Sequence, residues 1–190
     1  MKYLDRANKG VERLVAVVKD LDMIAKLEND GLEINIEVFN ILELIQNVFD
    51  LLEMKAKKRN ISIRFDRIYE FPLFVKGDIE KIEQVLINLV VNSIKYGKPN
   101  GTTIVGVESH NSQKFIIKVI DDGEGIKKIH LPRLFERFYR VDQSRSREQG
   151  GSGLGLSIVK HIVEAHDENI FLKSTYGKGS EFSFTLEKAR

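Results

Sequence analysis

The first 30 residues carry apolar side chains at alternating spacings of three and four, as in a helix that packs against another helix. Asn29-Asp30-Gly31 ends this pattern, and Gly31 suits a left-handed helix cap. The pattern predicts a long helix over residues 1–31, packed either on its own domain or in a helical bundle, and the regular seam favours the bundle. The seam consists of Leu4, Ala7, Val11, Leu14, Val18, Leu21 and Ala25.

After residue 31, strand-like and helix-like periods alternate along the chain. Residues 32–36 alternate as in a short extended segment, and Asn40 with Glu43 forms a capping box that predicts a second helix. We therefore expect an α+β domain over residues 32–190, with the boundary near residues 31–40. Its further predicted elements are strands Ile61–Phe65, Thr102–Glu108, Lys114–Ile120, Ile170–Thr175 and Glu181–Leu186, and helices over 78–96 and 154–166, the last capped by Asn169.

Composition narrows the classes of function. The chain has 30 Lys and Arg against 28 Asp and Glu, a net charge of +2, so we expect no nucleic-acid partner. It has no cysteine, which excludes disulfides, zinc–thiolate sites and thiol nucleophiles. No apolar run approaches the roughly 20 residues of a membrane span, and no signal peptide is visible, so we expect a cytoplasmic chain.

The third predicted helix carries a polar face that includes Lys81, Gln84, Asn88, Asn92 and Lys95. Asparagine is locally unfavourable inside a helix because its amide competes with the backbone. Taken alone, this face is best explained by hydrogen bonds to a neighbouring loop. The alternative is that the amide oxygens face a phosphate or a hard cation such as Mg²⁺.

Two glycine clusters allow close approach of a ligand to the backbone. The first, residues 121–126, follows a strand and is equally compatible with a tight turn or with a ligand amino group on Asp121. The second, residues 150–156, opens a helix and can either hinge the chain or cradle phosphate on its N–H groups. It matches neither a P-loop nor a dinucleotide fingerprint.

The segment between these clusters combines aromatic and basic side chains. Phe135 and Phe138 are three residues apart, so we expect a helical turn that faces both inward. The arginines predict either a solvated loop or a lid over polyphosphate. They are Arg133, Arg137, Arg140, Arg145 and Arg147.

Taken in order, four segments resemble the motifs of the ATP-binding core of bacterial sensor histidine kinases, whose fold is shared with gyrase-type and heat-shock-chaperone ATPases. Residues 88–96 resemble the N-box, 121–125 the first glycine box, 135–138 the F-box and 151–156 the second glycine box. The resemblance spans nearly the whole chain. It implies a two-layer α/β sandwich of the histidine-kinase ATPase type, preceded by a long helix.

The resemblance also implies roles for individual residues. Asn92 would ligate Mg²⁺ with support from Asn88, Asp121 would accept the adenine amino group, and Arg140 with Arg137 would neutralise the terminal phosphate. The implied catalytic set is Asn88, Lys95, Arg137 and Arg140. The implied ATP-binding set is Asn88, Asn92, Lys95, Tyr96, Asp121, Gly123, Gly125, Ile126, Phe135, Phe138, Arg140, Gly151, Gly153, Leu154 and Gly155.

Two parts of the chemistry differ from related enzymes or are missing. Gyrase-type ATPases have a water-activating Glu where this chain has Asn88, so we expect slow hydrolysis of ATP. None of the four histidines fits the family's phosphoacceptor pattern. By the resemblance, residues 1–31 match the second helix of the dimerisation and phosphoacceptor hairpin, and the first helix is absent.

We therefore expect a fragment of a sensor that is membrane-anchored upstream, dimerises through this helix and works with a response regulator receiver domain. The fragment alone should not autophosphorylate. A gyrase-like ATPase is the first alternative, disfavoured by Asn88 and by the Phe135 and Phe138 pair. A non-catalytic nucleotide-binding interaction module is the second, disfavoured because the ATP-site residues are all kept.

Overall fold

A computed structural model describes residues 33–141 and 152–189, together with six residues near the N-terminus, 10, 11, 14, 15, 18 and 22. The strands are β1 Glu37–Asn40, β2 Ser62–Phe65, β3 Phe74–Gly77, β4 Thr102–Ser109, β5 Lys114–Asp121, β6 Ile170–Thr175 and β7 Gly179–Lys188. The helices are α1 Ile41–Lys57, α2 Ile79–Tyr96 and α3 Gly155–Ala165, with a 3₁₀ helix at Lys128–Arg133.

The described strands form one mixed sheet in the order β1-β3-β7-β5-β4-β2, with β6 also paired to β7. β2 runs parallel to β4, whereas the other pairs are antiparallel. β4 and β5 form a hairpin, and β5 pairs along its whole length with β7. β5 therefore lies inside the sheet, and its last residue, Asp121, has neighbours on both sides.

The core lies between the sheet and the three helices. α2 buries one apolar face, which includes Ile82, Leu86 and Leu89, and it contacts both α1 and α3. From the sheet, Phe184 and Ile117 are fully buried in the same cluster. Burial of this apolar area from two layers stabilises the domain. The predicted α+β two-layer sandwich is confirmed.

Both long helices begin at side-chain caps. The Asn40 side chain accepts from the Leu42 N–H at 3.2 Å, so the predicted start of α1 is confirmed. Glu43 accepts from the Asn40 side-chain amide rather than from its backbone N–H, which is a variation on the expected capping box. Asp78 caps α2 by accepting from the Lys81 N–H at 3.1 Å.

The structure differs from the predicted elements in three places. The first strand lies at residues 37–40, later than the expected 32–36, and β3 was not predicted. The left-handed residue after α3 is Asp167, with φ of 56°, not Asn169. Here Asp167 N–H donates to Glu164 O and Glu168 N–H to Val163 O, the paired bonds of a Schellman motif.

The described residues of the predicted N-terminal helix are helical. Its apolar residues there are all exposed, by 50% to 65% of their surface: Val11, Leu14, Val15 and Val18. The other residues of the predicted 1–31 helix lie outside the described part of the chain. Among the residues that the structure describes, no helix is long and apolar enough to cross a membrane.

His166 joins the ends of two helices that flank the site described below. Its Nδ1 lies 2.7 Å from Ile162 O in α3, and its Nε2 accepts from the Asp78 N–H at 2.9 Å. Since Nε2 must accept, Nδ1 carries the proton in this arrangement. Asp78 is buried, so its N–H depends on this ring for a partner.

We expect His166→Ala to lower the free energy of unfolding by about 1–3 kcal/mol, because a buried backbone donor loses its acceptor. His110→Ala, at an exposed histidine of the β4–β5 turn, is the control. Urea unfolding followed by circular dichroism measures both. Equal midpoints for the two variants would show that the bond to Asp78 adds nothing.

Candidate active site

One wall of the candidate site is the polar face of α2. Asn88 and Asn92 are half-buried, and neither side chain hydrogen-bonds another residue within the described part of the chain. The expected hydrogen bonds from this face to a neighbouring loop are therefore not seen at these two positions. At the end of the helix, the Lys95 ammonium lies 5.0 Å from the centre of the Tyr96 ring.

The first glycine box lies directly against the C-terminal end of α2. A Cβ at Gly123 would lie 2.4 Å from Tyr96 O and 2.6 Å from Asp121 Oδ1, so only glycine fits there. The Glu124 N–H donates to the same Tyr96 carbonyl at 3.4 Å. The fold thus brings together two segments that are well separated in sequence.

Asp121 lies at the centre of this junction and is 8% exposed. Its Oδ1 accepts from the Gly123 N–H at 2.9 Å. Burial raises the pKa of the Asp121 carboxyl above its ordinary value, the N–H groups of Gly123 and Ser180 oppose that rise, and the Asp122 charge adds to it. A buried carboxylate of this kind can accept a hydrogen bond from a ligand amino group.

Asp121 belongs to a row of polar residues that crosses four strands. Thr103 of β4 pairs with Asp121 of β5, Asp121 with Ser180 of β7, and Ser180 with Ser174 of β6. Directly opposed residues share a face of the sheet. On each of these strands, the next position on that face is apolar, so the core ends at this row. These positions are Val105, Val119, Phe182 and Leu172.

Sequence reasoning missed the neighbours of Asp121 in this row. Thr103 is fully buried and lies 2.6 Å, hydroxyl to hydroxyl, from Ser93, the residue after Asn92 in α2. The signal was present in the alternation of each strand, where a polar residue takes the inward position nearest to one end of the strand. Finding it required the register between strands, which the sequence does not state.

The second glycine box contacts α2 at Asn88, two helical turns before the contact of the first box with Tyr96. A Cβ at Gly155 would lie 3.3 Å from the Asn88 Oδ1, so the start of α3 adjoins the amide face. Gly153 has φ of 80°, and Leu154 is fully buried, which fixes this end of the box in the core. Gly151 lies outside the described residues.

The F-box departs from its prediction. Phe135 is half-buried against the core, but Phe138 is 55% exposed and has φ of 60°. The expectation of one helical turn that faces both rings inward is therefore wrong. The Phe138 N–H donates to Gly153 O at 3.1 Å, and the chain leaves helical geometry to make this bond. The bond ties the two ends of segment 139–152 together.

The two candidate arginines lie at different parts of the site. Arg140 adjoins the second glycine box, since a Cβ at Gly153 would lie 3.3 Å from its Cγ. Burial raises the pKa of the Tyr96 hydroxyl, and the Arg140 charge opposes this. Burial, followed by the Arg137 charge, lowers the pKa of His161, so Arg137 lies towards α3. Arg145 and Arg147 lie outside the described residues.

Ile126, the residue after the first glycine box, contacts the β6–β7 hairpin. It is partly buried against the core, and its N–H donates to Ser174 Oγ at 2.8 Å. Gly125 has φ of 64°, and a Cβ there would lie 2.1 Å from Thr175 O. The first glycine box is therefore held between α2 and this hairpin.

The arrangement joins two chemically different ends. One end offers a buried carboxylate acceptor at Asp121, and the other offers amide oxygens, cationic side chains and the glycine-rich start of a helix. Within the described ranges, no group of three or more His, Cys, Asp or Glu residues gathers to hold a metal ion. A cation bound here would rely on amide and ligand oxygens.

Comparisons with known proteins agree with this geometry. The family of histidine kinase-, DNA gyrase B-, and HSP90-like ATPases matches residues 77–190. Sensor histidine kinase WalK of Bacillus subtilis (strain 168) is 34% identical over 186 residues, 97% of this chain and 30% of WalK. A WalK of Staphylococcus aureus is 33% identical over 193 residues, 97% of this chain and 44% of that protein.

Solved structures extend the likeness to the fold. Histidine kinase AdeS of Acinetobacter baumannii has a TM-score of 0.79 at 27% identity, covering 98% of this chain and 84% of AdeS. Histidine kinase ThkA, in complex with response regulator protein TrrA, has a TM-score of 0.76 at 29% identity, covering 100% of this chain and 51% of ThkA. This chain spans between 30% and 44% of the length of the two WalK proteins above. The family match, the relatives and the fold show that this chain belongs to the family of histidine kinase-, DNA gyrase B-, and HSP90-like ATPases, and that it is a catalytic core of the sensor histidine kinase type.

Proposed function

We propose that this chain is the ATP-binding catalytic part of a two-component sensor histidine kinase. It transfers the γ-phosphoryl group of ATP to a histidine on a helix outside this chain. The observation that carries the proposal is the meeting of the buried Asp121 carboxylate, the first glycine box and the end of α2 at Tyr96.

The adenine end of the nucleotide fits the row around Asp121. An ionised carboxylate only accepts hydrogen bonds, and the adenine amino group is a donor, so the pair is complementary. A side chain at Gly123 or Gly125 would collide with the chain's own atoms, so these glycines let the first glycine box pack closely beside Asp121. Tyr96 and Ile126 supply apolar surface near this end.

The phosphate end fits the junction of α2 and α3. Asn92 would hold Mg²⁺ through its amide oxygen, with Asn88 beside it, and the N–H groups of the second glycine box would bind phosphate oxygens. Bound Mg²⁺ would neutralise part of the charge that develops on the transferring phosphoryl group. Lys95 and Arg140, with Arg137, would neutralise the rest.

Transfer forms a bond between the γ-phosphorus and an imidazole nitrogen of the acceptor and breaks the bond to the β–γ bridging oxygen, so ADP leaves. The chain's own residues bind, orient and neutralise charge in this reaction. Asn88 stands where a water-activating carboxylate would be needed for hydrolysis, and an amide cannot act as a base. This residue therefore favours transfer to an acceptor over hydrolysis.

The N-terminal residues support a division into a helix of the phosphoacceptor hairpin, residues 1–31, and the catalytic domain, residues 32–190. The exposed apolar residues Val11, Leu14, Val15 and Val18 suit a helical partner, either the missing acceptor helix or a second copy in a homodimer. A response regulator receiver domain would take the phosphoryl group from the acceptor. The full-length sensor would be membrane-anchored, with this part in the cytoplasm.

We expect Asp121→Asn to weaken binding of Mg²⁺–ATP by roughly 10- to 100-fold, because a charged acceptor is replaced by an amide that also carries donors. Asp122→Asn is the matched control: Asp122 is exposed, and its Oδ1 accepts from the Thr102 N–H, a bond that an asparagine oxygen can keep. Isothermal titration calorimetry measures both. Unchanged affinity in Asp121→Asn would exclude this site for the base.

The affinity for ATP should fall with acid because only the ionised Asp121 carboxylate accepts freely. Its pKa is raised by burial, so the bond is present above that pKa and is lost as the pH falls through it, earlier than for an exposed aspartate. Calorimetry from about pH 5 to pH 8 should show a ratio of parent to Asp121→Asn affinity that declines with acid. A constant ratio would contradict this role, whatever the ionisation of ATP itself contributes.

The chain alone should bind ATP but consume little of it. With γ-labelled ATP we expect fewer than about one phosphate released per minute, since no base activates water, and no acid-labile label on the protein. Adding a peptide of the acceptor helix in trans should restore labelling of that peptide. Rapid phosphate release, or stable label on any of the chain's own histidines, would overturn the proposal of an external acceptor.

A further inference from the structure

We propose that Ser174 is a positioning residue for the adenine end of the site, acting through the first glycine box. The proposal rests on the proposed function only for the identity of the ligand. Ser174 lies on β6, outside every motif that the sequence analysis singled out. Its hydroxyl group joins three elements around Asp121 without itself being part of the glycine boxes.

The three contacts of Ser174 Oγ use all of its hydrogen-bonding capacity. It donates to Gly179 O at 2.9 Å, accepts from the Ile126 N–H at 2.8 Å, and lies 3.0 Å from Ser180 Oγ. A hydroxyl group has one proton, and Ser174 gives it to Gly179, so Ser180 must donate in the third bond. Removing the hydroxyl leaves three polar groups without this partner.

The three residues that Ser174 bonds lie close to Asp121 in the fold or in the chain. Ser180 is buried and pairs directly with Asp121 in the sheet. Gly179 has φ of 129°, and a Cβ there would lie 2.0 Å from the carbonyl oxygen of Asp121. Ile126 directly follows the glycine box that begins at Asp121. Ser174 therefore fixes both the strand beside the carboxylate and the far end of the box.

Two further contacts show that the hairpin is the support for the box. The Gly177 N–H donates to Glu124 O at 2.6 Å. Gly125 approaches Thr175 O so closely that a side chain is excluded. These contacts are made by backbone atoms, so removing the Ser174 hydroxyl group does not remove them directly. The Ser174 hydroxyl is thus the side-chain part of this support that mutation can remove alone.

The consequence is local to one end of the ligand. Loss of the hydroxyl leaves the Ile126 N–H without its acceptor and releases that end of the box, which weakens contacts to the base. The junction of Asn88 with Gly155 lies two helical turns earlier on α2 and does not touch Ser174 or its partners in the described structure. Binding of the triphosphate part should be unaffected.

The test compares Ser174→Ala, Ser174→Thr and Thr175→Val in the full chain. Ser174→Thr keeps the hydroxyl group. Thr175→Val removes a hydroxyl from the next residue, whose side chain is exposed. Affinities are measured for Mg²⁺–ATP and for Mg²⁺–tripolyphosphate, which lacks the base. Amide hydrogen exchange is measured on the protein without nucleotide.

In Ser174→Ala we expect Mg²⁺–ATP to bind roughly tenfold more weakly, the effect of one unsatisfied buried donor. Tripolyphosphate should bind as it does to the parent chain. Exchange should accelerate at Ile126, and Ser174→Thr should restore both the exchange rate and the ATP affinity. Thr175→Val should match the parent in every measurement.

Three results would overturn the role of Ser174. They are unchanged ATP affinity in Ser174→Ala, an equal loss for ATP and tripolyphosphate, which would mean general destabilisation, and an Ile126 amide that stays protected. If the parent chain bound no nucleotide, the proposed function would fail. The exchange rate at Ile126 would still decide whether Ser174 holds the glycine box.

Discussion

The whole site depends on a carboxylate held at the edge of an apolar core. Asp121 follows the buried residues Ile117 and Val119 along the inner face of β5, and its own surroundings are almost as closed as theirs. A buried carboxylate is tolerated only where hydrogen-bond donors replace water. The N–H groups of Gly123 and Ser180 replace water as donors to Asp121. The Asp121 carboxylate therefore helps to fix both the turn after β5 and the register of β7.

This requirement explains why glycines cluster on both sides of Asp121. Gly123 and Gly179 each lie where a Cβ would meet backbone or carboxylate oxygen at well under 3 Å. The backbone comes that close because the donors must reach the carboxylate and because α2 ends against the same turn. The glycines are therefore needed for the geometry of the protein itself, before any ligand is considered.

Much of the fold could be predicted from periodicity, since α2 and the β4–β5 hairpin have clear apolar faces and clear ends. β3 was not predicted because its four residues, Phe-Val-Lys-Gly, do not alternate between apolar and polar side chains. In the site, the amide face and both glycine boxes were visible as motifs. The Thr103–Asp121–Ser180–Ser174 row was not, because it exists only across strands whose pairing is set by the tertiary fold. The prediction of a helical turn at Phe138 was wrong for the same reason, because the Phe138 N–H bonds to Gly153 O, a residue that is distant in sequence.

The distance between the two ends of the site is set by the core rather than by loops. In the proposed function, the adenine end lies at β5, β6 and β7, and the phosphate end lies at the contact of α2 with the start of α3. α2 belongs to both: Tyr96 O meets the first glycine box, and Asn88 meets Gly155 two helical turns earlier. α2 packs against the sheet, α1 and α3, so it cannot shift along its axis without disrupting the packing of Leu86, Leu89 and Ile94. In the proposed binding mode, a ligand that reaches from Gly155 to Tyr96 O would have to match this fixed separation, and a phosphate group alone would not span it.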